Sequence, residues 1–410
     1  MPKTRLHLGL EALCMLVLAF ILATAFLDDS PTYSVMSQGG EEEPNIDLTI
    51  YEKAKASPGL VLYPVTGMAE VRLLNIKGNT VHTWAVDATR ARLLDDCSLL
   101  VVHGSKWGLN HEPWKSLRPV LRRYSWDGEI LWEYTADDII HHDVRLLPSG
   151  NLIFPVREIL TMAQKSAIRD PERRALNIRS DKILEVKPSG EVVWEWHAHE
   201  HLDLNDCGKP KCKFKTGVAN AEQQLSDWTH INTVAIVPEN KWYDRGDTRF
   251  KPGNIITLPR NWWTVFIVDK GSGDIVWEYT GDYRGGLSGG HDPYMIPRGL
   301  PGEGNILVFD NGRVLHKGES YILEINPQTK KIEWKYEAGK SFFSRSAGTA
   351  QRLPNGNTFI SEDTTGRIFE VTPDGKIVWE YQGQERTSRA YKIVGIDTVK
   401  ELTERCGINE

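Results

Sequence analysis

Three separated segments of the chain each place a histidine ahead of a short apolar run that ends at a proline. His142 and His291 both stand six residues before that proline, and His230 stands eight residues before it. Because side chains alternate along a strand with a period of two, the three imidazoles fall on the same strand face. Such a set could hold a metal with an open position, supply a nucleophile with a general acid and base, or serve the structure alone.

The repeat that carries these histidines predicts the fold. An apolar run, a turn with Gly or Pro, and an apolar pair followed by Trp occur six times, with the turn chemistry and β-branched residues typical of a hairpin. Further apolar runs ahead of each hairpin bring most units to four strands. This pattern predicts an all-β fold, a six-bladed β-propeller of four-stranded blades. The six hairpins end at Trp84, Trp132, Trp194, Trp277, Trp334 and Trp379.

The propeller is predicted to span residues 58–397. The first unit lacks its own opening strand, so we expect a strand within residues 388–397 to join it and close the ring. Residues 398–410 are then a C-terminal tail. The first strand of each blade in a propeller lines the central channel, so this fold would gather the three histidines at the channel mouth. Two polar inserts, residues 155–181 and 198–227, are expected to cap one face.

The N-terminal residues 1–29 contain a mostly apolar run from Leu8 to Leu27, with Lys3 and Arg5 before it. The run is long enough for a helix that crosses a bilayer of roughly 30 Å. An A-x-A sequence at residues 23–25 suits a cleaved signal peptide instead. Both alternatives predict export to the periplasm, with a tether to the inner membrane if the segment is uncleaved. Residues 30–57 are predicted to be a linker.

Charge and cysteine content narrow the possible partners and cofactors. The net charge of −6 offers no basic footprint for nucleic acid, so no nucleic-acid partner is predicted. Cys207 and Cys212 are close enough in sequence for a disulfide, and two free thiols are the alternative. No second cysteine pair stands at zinc spacing, so no metal is predicted there. A metal site is also the weaker interpretation of three alternating histidines just upstream, His197, His199 and His201.

The ordered set of HHD, DWTHIN, LPRN, GGHDP and LPNGNTFISEDTTGRIFEV resembles the bacterial arylsulfotransferase family, over roughly residues 59–396. The resemblance implies an exported six-bladed propeller that transfers a sulfuryl group from an aryl sulfate ester to a phenolic acceptor through a sulfohistidine. It also implies that no nucleotide sulfate donor and no cofactor are needed. The family's nucleophile matches His291, and its two further active-site histidines match His142 and His230. Its active-site arginine matches Arg260.

Two other functions are compatible with the same residues. A propeller that binds a ligand or a protein without catalysis would present the same face, because a fold does not determine a function. A hydrolase would use the same histidines to activate water. The sequence indicates neither the natural donor and acceptor nor an oligomeric state.

Overall fold

The computed structural model describes residues 45–212 and 226–408, and these fold mainly into antiparallel β-sheets. Six sheets of four or five strands follow one another along the chain. The prediction of a six-bladed β-propeller with four-stranded blades is therefore confirmed. The helix predicted in residues 1–29 lies outside the described residues. Within the described ranges, no helix combines the length and apolar character needed to span a bilayer.

Blades two to five are each built from four consecutive strands, beginning with the inner one. Blade two contains Arg90–Leu93, Leu99–Val102, Val120–Tyr124 and Ile130–Thr135. Blade three contains Arg145–Leu146, Leu152–Ile159, Arg179–Val186 and Val192–His197. Blade four contains Ile231–Ile236, Ile255–Pro259, Val265–Val268 and Ile275–Tyr279. Blade five contains His291–Met295, Ile306–Asp310, Tyr321–Ile325 and Ile332–Tyr336.

Blade one is completed by the end of the chain. Gly59–Thr66 pairs on one side with Glu70–Leu74, which in turn pairs with Thr80–Trp84. On its other side it pairs with two late segments, Arg386–Thr387 and Tyr391–Val394. The inner position of blade one is therefore occupied by residues more than 300 positions away in sequence.

Blade six takes a strand from the beginning of the described chain. Its four strands are Thr349–Arg352, Thr358–Glu362, Arg367–Val371 and Ile377–Gln382, and Leu48–Tyr51 pairs with the last of them. The prediction of a linker over residues 30–57 was therefore wrong for this strand. A short strand that pairs only with the outer edge of a distant blade has no repeat pattern by which sequence could identify it.

The C-terminal range predicted as a tail is also folded. The helix Ile396–Cys406 follows the closing strand, and a disulfide joins Cys406 to Cys97 of blade two. Leu402 packs into the core between blades one and two. The described part of the C-terminus is thus fastened to the ring by a covalent bond and by apolar contact.

The insert predicted at residues 155–181 is partly β-structure. Leu152–Ile159 and Arg179–Val186 pair over their full length, so the blade extends into this polar range. Only the short helices Met162–Lys165 and Pro171–Ala175 lie beyond the strands. The second insert contains the helix Ala198–His201, and a further short helix, Lys241–Asp244, follows the inner strand of blade four.

The six repeated tryptophans link each blade to the next. Each indole N–H donates to a backbone carbonyl in the hairpin turn of the following blade, and the last blade returns to the first. The six donor and acceptor pairs are Trp84 to Ser125 at 3.1 Å, Trp132 to Pro188 at 2.8 Å, Trp194 to Lys270 at 2.9 Å, Trp277 to Pro327 at 2.7 Å, Trp334 to Pro373 at 2.7 Å and Trp379 to Ile76 at 2.8 Å. Six apolar cores accompany these bonds, one between each pair of adjacent blades.

We expect an indole hydrogen bond to contribute more to stability when its tryptophan is more deeply buried. The Trp379 bond, which closes the ring, should therefore contribute more than the Trp334 bond. Trp379→Phe removes the indole N–H of a fully buried side chain and leaves the half-buried carbonyl of Ile76 without its donor, which should lower the free energy of unfolding by about 1–3 kcal/mol. Trp334→Phe removes the same kind of bond at a half-buried position and should cost less. Urea unfolding of the two variants measures the difference, and equal losses would contradict this account of the ring.

Candidate functional site

One cavity brings together the four site residues predicted from the sequence. It has a volume of about 330 Å³, and His142, His230, Arg260 and His291 all line it. His291 opens the inner strand of blade five, whereas His142 and His230 stand just before the inner strands of blades three and four. Arg260 follows the second strand of blade four. The four residues share one location, and their chemical roles stay predictions.

The backbone is strained at two of these histidines. His142 and His230 adopt the left-handed conformation, with φ of 66° and 55°. This conformation is uncommon for residues other than glycine and costs on the order of 1–3 kcal/mol. Arg389 Nη1 donates to the carbonyl of His142 at 3.1 Å, and the backbone N–H of Arg260 donates to that of His230 at 3.0 Å. The carbonyls of both strained histidines therefore accept hydrogen bonds from arginines that also line the cavity.

The ring of His291 is held in one tautomer by Asn311. The Asn311 amide nitrogen donates to the carbonyls of Ser344 and Ala347 at 2.8 and 2.7 Å, so its oxygen must face the histidine. That oxygen lies 2.5 Å from His291 Nδ1, which therefore carries the proton and donates it. The lone pair is left on Nε2, which accepts a hydrogen bond from the backbone N–H of Ala347 at 3.3 Å.

Burial keeps His291 neutral. Its side chain is 2% exposed, and burial is the main reason that its pKa lies well below the ordinary value of 6.5. The positive charge of Arg389 lowers the pKa further, and the hydrogen bond to Asn311 only partly opposes these effects. The site therefore presents an uncharged imidazole with an unprotonated Nε2 at neutral pH.

The other two histidines belong to a hydrogen-bonded chain with a carboxylate at each end. Asp181 Oδ1 lies 2.9 Å from His141 Nε2, and His141 Nδ1 lies 2.7 Å from His142 Nδ1. His142 Nε2 lies 3.2 Å from His230 Nε2, and His230 Nδ1 lies 2.7 Å from Asp227 Oδ2. We call these five residues the histidine chain. All three of its imidazoles line the cavity.

Arg260 lies half-buried beside one end of the histidine chain. Its Nη2 lies 3.5 Å from Asp227 Oδ2, 3.1 Å from the Asn261 side-chain oxygen and 3.2 Å from His230 Nδ1. Since His230 Nδ1 donates to the closer carboxylate, the guanidinium bonds to the two oxygens. Burial lowers the pKa of Arg260 to about 10, so the group stays charged at neutral pH.

A second arginine of the cavity, Arg389, was not predicted, and its side chain is buried. Arg389 lies between the two late segments that complete blade one, and its Nη2 is buried without a hydrogen-bond partner among the described residues. An unsatisfied buried guanidinium nitrogen is costly. Arg389 thus offers the cavity a charged donor.

Several residues of the site carry weak sequence signals. His141 stands beside His142 in the HHD motif, and Asp227 opens the DWTHIN motif, so both could have been considered with their neighbours. Asp181, Asn311 and Arg389 belong to no repeat that marks them. Their contacts with the histidines join residues that are 20 to 247 positions apart in the sequence.

A separate cluster of Glu158, His197 and His199 has atoms close enough to hold a metal. Its hydrogen bonds argue against that use. The backbone N–H of Thr161 donates to the Gln164 side-chain oxygen, so the Gln164 amide nitrogen faces His199 Nε2 at 2.9 Å. The His199 proton is therefore on Nδ1, where it is donated to Glu158 at 2.9 Å. With His197 donating to the other oxygen at 2.8 Å, the cluster is a hydrogen-bonded link between the strands.

Positive charge dominates the cavity lining. Lys106, Arg118 and Arg386 line it together with Arg260 and Arg389. Among the described residues, Lys106, Arg118 and Arg386 form no ion pair with a carboxylate. Asp363 is the one carboxylate that lines the described part of the cavity, and the backbone N–H groups of Gly348 and Arg389 donate to it. In a chain of net charge −6, this local excess of cations favours an anionic ligand.

Three solved structures are similar to this chain at low identity. A protein of unknown function from Bacteroides caccae shares 14% identity with a TM-score of 0.50, over 82% of this chain and 99% of that one. A functionally unknown protein from Desulfotomaculum acetoxidans shares 8% with a TM-score of 0.45, over 82% and 99%. Virginiamycin B lyase from Staphylococcus aureus shares 12% with a TM-score of 0.41, over 82% and 87%. The first of these similarities supports the fold alone.

No curated protein sequence matches this chain. A family model described as Arylsulfotransferase (ASST) matches residues 120–384, which is more than half of the chain. The matched range contains His142, His230, Arg260 and His291. The chain belongs to the arylsulfotransferase family.

Proposed function

We propose that this propeller transfers a sulfuryl group from an aryl sulfate ester to a phenolic acceptor, with His291 as the nucleophile. The observation that carries the proposal is the meeting of His142, His230, Arg260 and His291 at one cavity, where His291 has an uncharged ring and an Nε2 lone pair. A nucleophile must be deprotonated, and sulfuryl transfer needs cations around the transferred group.

The first half of the reaction forms a sulfohistidine. The Nε2 lone pair of His291 attacks sulfur, the bond from sulfur to the aryl oxygen breaks, and that oxygen keeps the electron pair. His142 or His230 protonates the departing phenolate, and Arg260 binds the sulfuryl oxygens. In the second half a phenol oxygen attacks the sulfur and reverses these steps. The scheme needs no cofactor, because the donor brings the sulfuryl group and side chains supply the nucleophile and the proton.

The cationic lining supports an anionic substrate. An aryl sulfate is negatively charged, and Lys106, Arg118 and Arg386, which pair with no carboxylate of residues 45–212 and 226–408, would attract it to the cavity. Arg389, with its unpartnered buried Nη2, is a second candidate to bind a sulfuryl oxygen.

We also propose that the propeller works outside the cytoplasm, in the periplasm, held by its N-terminal segment if that segment is uncleaved. The Cys97–Cys406 and Cys207–Cys212 disulfides support this location, because disulfides persist in oxidising compartments.

The function is tested by incubating the protein with 4-nitrophenyl sulfate, with and without phenol. We expect phenol to accelerate 4-nitrophenol release, and His291→Ala to lower the rate by at least about a thousandfold. His111→Asn, an exposed histidine outside the cavity lining, is the matched control. A rate of 4-nitrophenol release that phenol does not change would indicate a hydrolase. No release would indicate a propeller that only binds a ligand or a protein. Retained transfer in His291→Ala would refute the role of His291.

The acid limb of kcat/KM for the donor should lie well below pH 6.5, because His291 must be neutral and burial holds its pKa down. Removing a nearby positive charge stabilises the imidazolium and raises the pKa. Arg389→Gln should therefore move the acid limb to higher pH. The profile is measured with 4-nitrophenyl sulfate, and a limb at the ordinary histidine pKa in both proteins would contradict the assignment.

The cations Lys106 and Arg386 of the cavity lining should affect KM and leave kcat unchanged. We expect Lys106→Gln and Arg386→Gln each to raise KM for 4-nitrophenyl sulfate about two- to fivefold, the equivalent of an exposed ion pair of about 0.5–1 kcal/mol. Each should also weaken the dependence of KM on salt. Lys400→Gln, on the C-terminal helix, makes the same charge change away from the cavity and is the control. Identical salt dependence in all variants would contradict electrostatic attraction by the lining.

A further inference from the structure

The histidine chain has fewer protons than hydrogen bonds. Its four contacts each need one proton, and the carboxylates of Asp181 and Asp227 at the two ends can only accept. Asp181 is held as an acceptor by the backbone N–H of Ile231, which donates to its other oxygen at 2.7 Å. Three neutral imidazoles carry three protons in total. One contact is therefore unfilled unless the chain takes up a fourth proton.

The unfilled contact can be located from the distances. An unprotonated imidazole nitrogen facing either carboxylate would place its lone pair against an anion. His141 therefore donates from Nε2 to Asp181, and His230 donates from Nδ1 to Asp227. The 2.7 Å contact between the Nδ1 atoms of His141 and His142 is too short for two facing lone pairs, and the contact between the Nε2 atoms of His142 and His230 is longer at 3.2 Å. The vacancy therefore falls between His142 Nε2 and His230 Nε2.

We propose that the histidine chain is a proton store for the transfer reaction, with His141 and Asp181 as positioning residues that set the vacancy between His142 and His230. This inference rests on the proposed function and deepens it. With four protons the chain is an acid, and with three it is a base. A phenolic oxygen at the vacancy can take the fourth proton or return it.

The two half-reactions balance with this store. In the first, His291 Nε2 bonds to sulfur, the sulfur to oxygen bond breaks, and the aryl oxygen receives the fourth proton from an Nε2 atom of the chain. The products are a neutral phenol, a sulfohistidine with no net charge and a chain whose three imidazoles are all neutral. In the second, the acceptor phenol gives its proton to the vacant position as its oxygen attacks sulfur, so the chain regains the fourth proton.

The surroundings suit a proton that is loosely held. Burial and the neighbouring histidines lower the pKa of His142, and burial and Arg260 lower that of His230. The groups that face the chain are the carboxylates Asp181 and Asp227 and the cations Arg260 and Arg389. An anionic donor in the cavity would favour the loaded form, so uptake of the proton is coupled to substrate binding.

Asp181→Asn tests the proposal directly, because it keeps the shape of the side chain and changes the number of protons that fill the contacts of the histidine chain. Its carbonyl oxygen must still face the Ile231 N–H, so its amide nitrogen faces His141 Nε2. The amide N–H fills the contact with His141, and the three imidazole protons fill the other three contacts, with His141 donating from Nδ1 and His142 from Nε2. The vacancy is lost without loss of a hydrogen bond. His141→Gln, which interrupts the chain, is the second variant.

The first readout is the dependence on the leaving group. Phenyl sulfate releases a phenol with a pKa of about 10, which needs a proton, whereas 4-nitrophenyl sulfate releases a more acidic phenol that needs it less. We expect both variants to lose at least tenfold more kcat/KM with phenyl sulfate than with 4-nitrophenyl sulfate. His199→Gln, a carboxylate-bound histidine outside the cavity, should show no such difference. Equal losses for the two donors in Asp181→Asn would overturn the proposal.

The second readout needs no turnover. Nitrogen-15 NMR of the ring nitrogens should show His142 protonated on Nδ1 in the unloaded wild-type protein and on Nε2 in Asp181→Asn. An unchanged tautomer would overturn the proposal. If the wild-type protein transfers no sulfuryl group, the proposed function fails, and the ring tautomers still decide whether the chain holds a vacancy.

Discussion

The structure depends on the contacts between adjacent blades, because each apolar core is shared by two blades. No blade has a core of its own, so the six interfaces must form together. The six indole N–H bonds determine how each outer strand meets the next blade, including the return from Trp379 to the first blade. The Cys97–Cys406 disulfide adds a covalent bond between blade two and the C-terminal helix that follows blade one. A closed ring of this kind can hold side chains from several blades at one place.

The aspartate that follows each of two cavity histidines connects the site to the ring. Asp143, after His142, lies 3.1 Å from Arg90, and Asp292, after His291, lies 3.4 Å from the same arginine. Burial opposes the ionisation of Asp143, but the surrounding arginines outweigh burial and lower its pKa. These ion pairs link Arg90 on the inner strand of blade two to Asp292 on that of blade five and to Asp143, which lies just before the inner strand of blade three. The repeated His-Asp pair thus directs one side chain to the cavity and anchors the next one.

Burial acts differently on the charged groups of the cavity and on its histidines. Desolvation favours the neutral form of an imidazole, whereas a guanidinium keeps its proton because its ordinary pKa is so high. The same environment therefore yields an uncharged imidazole on His291 and a positive charge on Arg260. Burial also strengthens the interaction of Arg389 with an anion, because water screens a buried charge less than an exposed one.

The sequence by itself determined the number of blades and the three channel histidines, because turns, strand alternation and the repeated tryptophan are local patterns. Resemblance to a family added Arg260. Only the tertiary structure decided that Leu48–Tyr51 is a strand, that Asn311 fixes the tautomer of His291 and that Arg389 enters the cavity. It also decided that His141 meets Asp181. These features arise from contacts between residues far apart in the chain, and hydrogen-bond partners and burial exist only once the ring has closed.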